Sequence, residues 1–447
     1  MMTDWISTDT DLPEPLVVIV RFISIYVASR RPFIDFAALS ACPPVSWILP
    51  GCFYVDMTAR PLPPYLLPAK GRCSRRTGLY AESHGIIAND FYDPQSQSVF
   101  VNTRPGASES RWWFGEPLWE TTERAGLRSA NIMWPGPKIT TSRISPTYDI
   151  PFRLNCHPEE KIAQVLEWMD LPVEERPRLI AVYEPLLDQA GHAAGPGSML
   201  INKTLPIISE FAHTLVQTLH HQRNLSHIVD LLLVSDHGMV DTSSWEMVYM
   251  DDILCSGEDA TELDWPACAG VKYVDGWPSM GLWFEPGASA TAVLSRLISA
   301  SESGKFDVYT SNTYTPRNIH WQSIPKVVAL AMPERYHYAS SSRLAPIWVV
   351  PRVGYALTDR VENGSLMSIG NHGYDNEEPS MRAVFLAQGP FAESARKRLR
   401  EDHNWTEEYV LPPFPNVELY NLIVRLLGIA EWASETNGTK GFWDKWI

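Results

Sequence analysis

Residues 178–183 read RLIAVY, and residues 228–238 read IVDLLLVSDHG. Each holds an unbroken apolar run with branched side chains, and each run is followed by polar residues able to bind a cation. RLIAVY is bounded by Pro177 on one side and Glu184-Pro185 on the other. Such a run reads as a strand buried on both faces. Between the two lies SMLINKTLPIISEFAHTLVQTLHHQ, residues 198–222. Leu200, Ile201, Leu205, Ile208, Phe211, Ala212, Leu215 and Leu219 recur there at three- and four-residue steps. They form one apolar face of a helix that Pro206 kinks or starts. Strand, helix and strand with continuous apolar strands make a parallel βαβ unit, so the fold class is α/β.

The same punctuation recurs later in the chain. RAVFLAQGP, from Arg382, reads as another buried strand. NVELYNLIVRLLG, from Asn416, reads as a helix with Asn416 as N-cap and Gly428 as stop; Val417, Tyr420, Val424 and Leu427 are its buried stripe. Residues between Met239 and Gly370 mix patterns with Gly, Pro and Ser breaks, as an inserted lobe would. Residues 1–76 show no plan beyond the apolar run at 16–20.

Parallel sheets place their sites beyond the carboxyl ends of the strands. After RLIAVY comes EPLLDQAGH, with Asp188 and His192. After LLLV comes SDHGM, with Asp236 and His237. Before RAVFLA comes GNHGYDN, with His372. Gly191, Gly238 and Gly373 sit beside the imidazoles and allow close backbone approach. Taken singly, each motif is an ordinary loop residue: Asp-His dipeptides occur in surface turns, and a lone His is commonly hydrogen-bonded. Together, two carboxylates and three imidazoles suit zinc. Five ligands exceed one catalytic zinc and nearly make two, and two metals about 4 Å apart clamp an in-line phosphoryl displacement.

The chain has 447 residues with 45% hydrophobic and 20% charged, ample for a large core. A formal net charge of −15 argues against binding a nucleic-acid duplex. It leaves room for an anionic small molecule, because metal ions supply local positive charge. Leu16–Ala28 is too short to span a bilayer and is broken by Arg21. The acidic Asp4, Asp9, Asp11 and Glu14 before it do not form a signal peptide. Of six cysteines, Cys255 and Cys268 flank a loop-like segment and can pair, which leaves Cys156 over in the orderly part of the chain. Asn202, Asn224, Asn363, Asn404 and Asn437 each begin an N-x-S/T sequon, which favours a secretory route to an extracellular or vacuolar destination.

The stretches TGLYAESHGIIANDFYDP, EPLWETTERAGLRSANIMWPG, DQAGHAAGPGS, VSDHGM, GNHGYDNEEPSMRAVFLAQGP and PFPNVELYNLIVRLLGI lie in order across residues 77–430. With them the chain resembles the nucleotide pyrophosphatase/phosphodiesterase family, a branch of the alkaline phosphatase superfamily. The resemblance implies an alkaline-phosphatase-like α/β fold: a mostly parallel central sheet, helices on both faces and an inserted lobe. It implies two zinc ions, one held by Asp188, His192 and His372, the other by Asp236, His237 and a further Asp. It implies a Thr nucleophile, a phospho-threonine intermediate, and a nucleotide or other phosphodiester small molecule as substrate. Tyr183 resembles the family's base-stacking aromatic; its plain alternative is a packing residue at the strand end.

The resemblance fails in one region. Where the family has S-x-D-G after its first strand, this chain reads RFIS from Arg21, with no carboxylate until Asp35. Where the family carries its nucleophile, this chain reads PLPPYLLPAKGRCSRR, and Thr77 comes too late. The nucleophile is therefore unknown, and the second site lacks one Asp. Residues 21–76 read as if taken in a shifted frame or across a wrong splice boundary. The expected organisation is an aberrant segment 1–76 replacing the first strand and nucleophile region, a core at 77–238, a lobe at 239–369, a return to the core at 370–430 and a tail at 431–447. The expected activity is hydrolysis of phosphodiester or pyrophosphate bonds, impaired in this chain. The alternatives are a non-catalytic metal- or nucleotide-binding relative, a phosphomonoesterase of the same superfamily, and a misfolded product.

Overall fold

The computed structural model describes residues 15–22, 53–57, 77–255, 265–311, 331–364, 367–401 and 411–447. At its centre is a seven-stranded sheet. In order across the sheet the strands are Phe53–Met57, Ala383–Gln388, Val229–Ser235, Leu16–Phe22, Leu179–Glu184, Ser129–Ile132 and Tyr148–Ile150. From the Val229 strand to the Tyr148 strand every pairing is parallel. The Ala383 strand runs antiparallel to both its neighbours. The mostly parallel α/β sheet expected from the apolar runs is the sheet found.

Leu16–Phe22 lies mid-sheet, in register from Val17 against Leu179 to Phe22 against Glu184 and Ser235. Leu16, Val17 and Val18 are buried, as a parallel strand covered on both faces requires. This corrects one part of the expected organisation. The first strand is not replaced; the apolar run at 16–20 supplies it. Phe53–Met57 adds an edge strand along Ala383–Gln388. The nucleophile-region departure, Asp35, Cys42, Cys52 and Cys73 lie outside the described residues, as does Asn404.

Alternate residues of the strands feed two cores. On one face Val17, Leu179, Leu232, Val234 and Phe385 pack with Leu118, Phe391, Tyr420, Ile423 and Trp443. On the other Val18, Ile180, Val182, Leu231 and Leu233 pack with Val165, Trp168, Phe211 and Leu215. Each such side chain contributes about 1.5–3 kcal/mol on burial. The helix between the two apolar strands spans Met199–Val216, with the Ser198 hydroxyl accepting from the Ile201 amide and Pro206 in its interior. It therefore starts at Ser198, not at Pro206, and Leu200 faces outward, 42% exposed. The last long helix runs Glu418–Leu426 behind Val417. Gly428 at φ +70° closes it, with the Ile429 amide donating to the Val424 carbonyl.

Residues 431–447 are not a trailing end. Trp443 is buried, donates from Nε1 to the Glu418 carbonyl at 2.8 Å, and packs edge-on against Phe391 and Phe414. The inserted lobe carries an antiparallel sheet ordered Val271–Asp275, Met280–Phe284, Ile347–Pro351 and Phe306–Thr310. Residues from Ala81 to Trp113 pack against this lobe, with Phe91, Phe100 and Trp112 in one cluster with Trp283, Tyr338 and Trp348. Arg343 fastens the two parts, donating to the carbonyls of Gly85 and Trp112. Cys255 and Cys268 form a disulfide, and Cys156 is a buried free thiol. Among the described residues no helix is long and apolar enough to cross a membrane.

Candidate metal centre

Three chain segments meet at one edge of the sheet, and strand direction explains why. The Leu179 and Val229 strands run parallel, so the residues after each of them emerge at the same edge. The Ala383 strand runs the other way, so the residues before it arrive there. The helix Leu186–Ala194 comes after the first strand and presents Asp188 and His192 one turn apart on one face. Asp236 and His237 come directly after the second strand. His372 comes after Gly370–Asn371, which pairs antiparallel with Val240–Asp241.

All five residues converge. His192 Nε2 is 3.2 Å from Asp188 Oδ1 and 3.2 Å from His372 Nε2. His372 Nε2 is 3.7 Å from Asp188 Oδ1. The His237 ring stacks on the His372 ring at 3.5 Å and 19°. His237 Nε2 is 3.6 Å from Asp236 Oδ2. Asp188, His237 and His372 each offer a donor atom within 4.8 Å of the others. Asp188, Asp236, His237 and His372 are buried. Asp188 Oδ1 is buried and accepts no hydrogen bond among the described residues. Carboxylate oxygens and imidazole nitrogens at this density and burial fit a zinc site.

The surroundings orient these donors. His192 Nδ1 is 2.8 Å from the Gly370 carbonyl oxygen and 3.1 Å from Ser368 Oγ. Donation from Nδ1 leaves the Nε2 lone pair turned towards Asp188 and His372. His237 is set the same way by the Gly238 carbonyl at 2.8 Å. Ser368 Oγ donates to Asn371 Oδ1 at 2.7 Å, and Asn371 Nδ2 donates to Thr242 Oγ1 at 2.6 Å. Burial opposes protonation of His192, yet the Asp188 carboxylate beside it outweighs that and raises its pKa.

The glycines are needed for space. A Cβ on Gly238 would stand 2.0 Å from the Ser380 carbonyl oxygen, and one on Gly370 would stand 2.3 Å from that of Gly191. Tyr183, by contrast, is 2% exposed and belongs to the core beneath the sheet, an environment that favours its packing role. Thr77 is also buried, with Oγ1 accepting from the Leu79 amide at 3.3 Å. Sequence reasoning missed the supporting residues Ser368, Asn371 and Thr242. Only the N-H-G stretch around His372 hinted at them, through an amide side chain next to a candidate metal donor.

Comparisons with known proteins point one way. Residues 71–375 match the family model described as type I phosphodiesterase/nucleotide pyrophosphatase. An uncharacterized pyrophosphatase/phosphodiesterase of Schizosaccharomyces pombe is 32% identical over 368 residues, covering 81% of this chain and 68% of that protein. Ectonucleotide pyrophosphatase/phosphodiesterase family member 3 of Rattus norvegicus is 31% identical over 365 residues, covering 82% of this chain and 37% of that protein. The chain thus spans about two thirds of the first relative and well under half of the second. Among solved structures, murine ectonucleotide pyrophosphatase/phosphodiesterase 5 superposes with a TM-score of 0.73 at 26% identity, covering 96% of this chain and 98% of that one. An inactive variant of that murine protein in complex with AMP superposes with a TM-score of 0.73, covering 95% of this chain.

Proposed function

This chain belongs to the type I phosphodiesterase/nucleotide pyrophosphatase family of hydrolases, and on that premise we propose that it binds two zinc ions and acts on phosphodiester or pyrophosphate bonds of nucleotides. The observation that carries the reading is the convergence of Asp188, His192, Asp236, His237 and His372 at the carboxyl edge of the sheet. Asp188, His192 and His372 would hold one ion, and Asp236 with His237 the other. Zinc bound there would neutralise charge on phosphoryl oxygens and lower the pKa of an attacking hydroxyl. The Gly370 and Gly238 carbonyls hold the His192 and His237 rings in the tautomer that presents Nε2. The AMP complex of the murine relative makes a nucleotide the first substrate class to test.

No nucleophile is assigned among the described residues. Thr77 is buried and accepts from the Leu79 amide, which does not support it in that role. As encoded, the chain hydrolyses slowly or only binds. This non-catalytic reading is favoured by one observation, the departure of the sequence from the family pattern at RFIS and PLPPYLLPAKGRCSRR. The ectonucleotide relative, a disulfide and exposed Asn202, Asn224, Asn363 and Asn437 favour passage through the secretory route.

The test is zinc content by atomic spectroscopy, paired with turnover of a p-nitrophenyl nucleotide diester and of p-nitrophenyl phosphate, with and without chelator. Bound zinc with chelator-sensitive diester turnover supports the catalytic reading. Bound zinc without turnover supports the binding one. Preference for the monoester moves the chain to the phosphomonoesterase alternative. Absence of zinc overturns the proposal.

A further inference from the structure

Lys161 and Glu184 form an ion pair at 2.7 Å with both side chains 0% exposed. Lys161 lies on the helix Pro158–Met169, on the same stripe as buried Pro158, Val165 and Trp168. A charge placed on a core stripe must be compensated there. Glu184 is the last residue of the Leu179 strand. Its Oε2 takes the Lys161 ammonium, and its Oε1 accepts from the Leu186 amide at 2.9 Å. Lys161 Nζ also donates to the Tyr183 carbonyl at 2.9 Å.

The pair therefore ties the end of the strand to the start of the helix that carries Asp188 and His192. Pro185, the residue before that helix, has no side-chain cap of its own. The Glu184 carboxylate supplies the cap, satisfying a first-turn N–H that would otherwise be an orphan donor. Asp188 lies two residues beyond Leu186, so the rotation of the first turn is the rotation of the ligand.

We propose that Lys161 and Glu184 are positioning residues that set Asp188 and His192 for cation binding, and that the pair serves the site more than stability. The inference rests on the zinc reading above. A buried ion pair is a poor source of stability, and apolar residues of similar volume commonly replace one without loss. Retaining the pair beside a metal ligand points to geometry.

The test compares two double variants with the parent, using zinc chloride alone in calorimetric titrations and thermal unfolding of the zinc-free protein. Lys161→Met with Glu184→Met removes charges and cap together. It should unfold close to the parent, lowered by no more than the loss of one helix cap, yet bind zinc roughly tenfold to hundredfold more weakly, the usual cost of losing a contact that orients a metal donor. Lys161→Met with Glu184→Gln restores an acceptor for the Leu186 amide and should recover affinity towards the parent. Hydrogen exchange over residues 186–194 of the zinc-free protein should quicken in the first variant and return in the second. Parent-like zinc affinity in the Met pair overturns the inference, as does equal loss in both variants. Failure of the Met pair to fold assigns the ion pair to stability and also overturns it. A parent chain that binds no zinc overturns the function reading itself, and this inference falls with it.

Discussion

His192 Nδ1 lies 2.8 Å from the carbonyl oxygen of Gly370, so a residue 178 positions away sets the tautomer of a candidate zinc donor on the helix Leu186–Ala194. The contact exists because Gly370 approaches the Gly191 backbone more closely than any other residue can. Gly370→Ala would force Cβ to 2.3 Å from the Gly191 carbonyl oxygen. Overpacking against backbone costs about 1–3 kcal/mol. Zinc affinity is expected to fall more than about tenfold as His192 loses its partner. Urea unfolding and zinc titration check the two parts separately.

His372 stands at the centre of the donor set, stacked on His237 and within reach of Asp188 and His192. His372→Ala is expected to lower zinc affinity by more than the roughly tenfold to hundredfold that loss of an outer contact costs. Two zinc ions in the parent and fewer in the variant, by atomic spectroscopy, is the expected result. An unchanged zinc count would remove His372 from the site.

Asp230 gives a pH dependence whose sign is opposite to that of an ordinary salt-bridged carboxylate. Burial raises its pKa from 3.8 to about 7, outweighing the hydrogen bond it accepts from the Phe391 amide, while Glu393 adds a further rise. The folded protein then holds a proton that the unfolded chain has released. Stability from this group is complete below pH 3.8 and is lost as pH rises through about 7. Asp230→Asn keeps the acceptor for Phe391 and does not ionise. Between pH 5 and pH 8 it should gain on the parent by a few kcal/mol, at about 1.4 kcal/mol per unit of pKa shift. Urea midpoints at the two pH values check this; a constant difference would show that Asp230 is ionised in the folded state.

Trp443 is 1% exposed and joins the core through Phe391 and Phe414. Trp443→Ala is expected to cost about 3–5 kcal/mol, seen as a lower denaturant midpoint with little change in slope. A cost under about 1 kcal/mol, the level of a surface change, would mean that residues 431–447 do not support the fold.

The transcript through residues 15–80 decides whether RFIS and PLPPYLLPAKGRCSRR are native. A reading that restores an S-x-D-G turn and a Thr-Phe-Pro segment would yield a chain expected to hydrolyse diesters far faster than this one. Confirmation of the residues as they stand makes binding, measured by nucleotide titration, the property to pursue.

Much of the candidate site was legible in the chain because its carboxylates and imidazoles sit close beside strands. RLIAVY and DLLLV announce themselves by unbroken apolar runs, and Asp188, His192, Asp236 and His237 come within a few residues of them. His372 was legible because RAVFLA comes next. The run at Leu16 was harder: an apolar stretch of that length reads equally as a strand or as an accident. Its burial depends on the Leu179 and Val229 strands lying on either side.

By itself, the sequence determined the α/β class, the order of its elements and the segments whose carboxylates and imidazoles were expected to meet. These come from local period, turn residues and adjacency along the chain. Tertiary structure alone decided that Lys161 meets Glu184, that Gly370 orients His192, and that Trp443 closes the core. Each of those contacts joins segments far apart in sequence, and sheet register and helix packing bring them within hydrogen-bonding or van der Waals range. No local pattern records which distant side chain will arrive there.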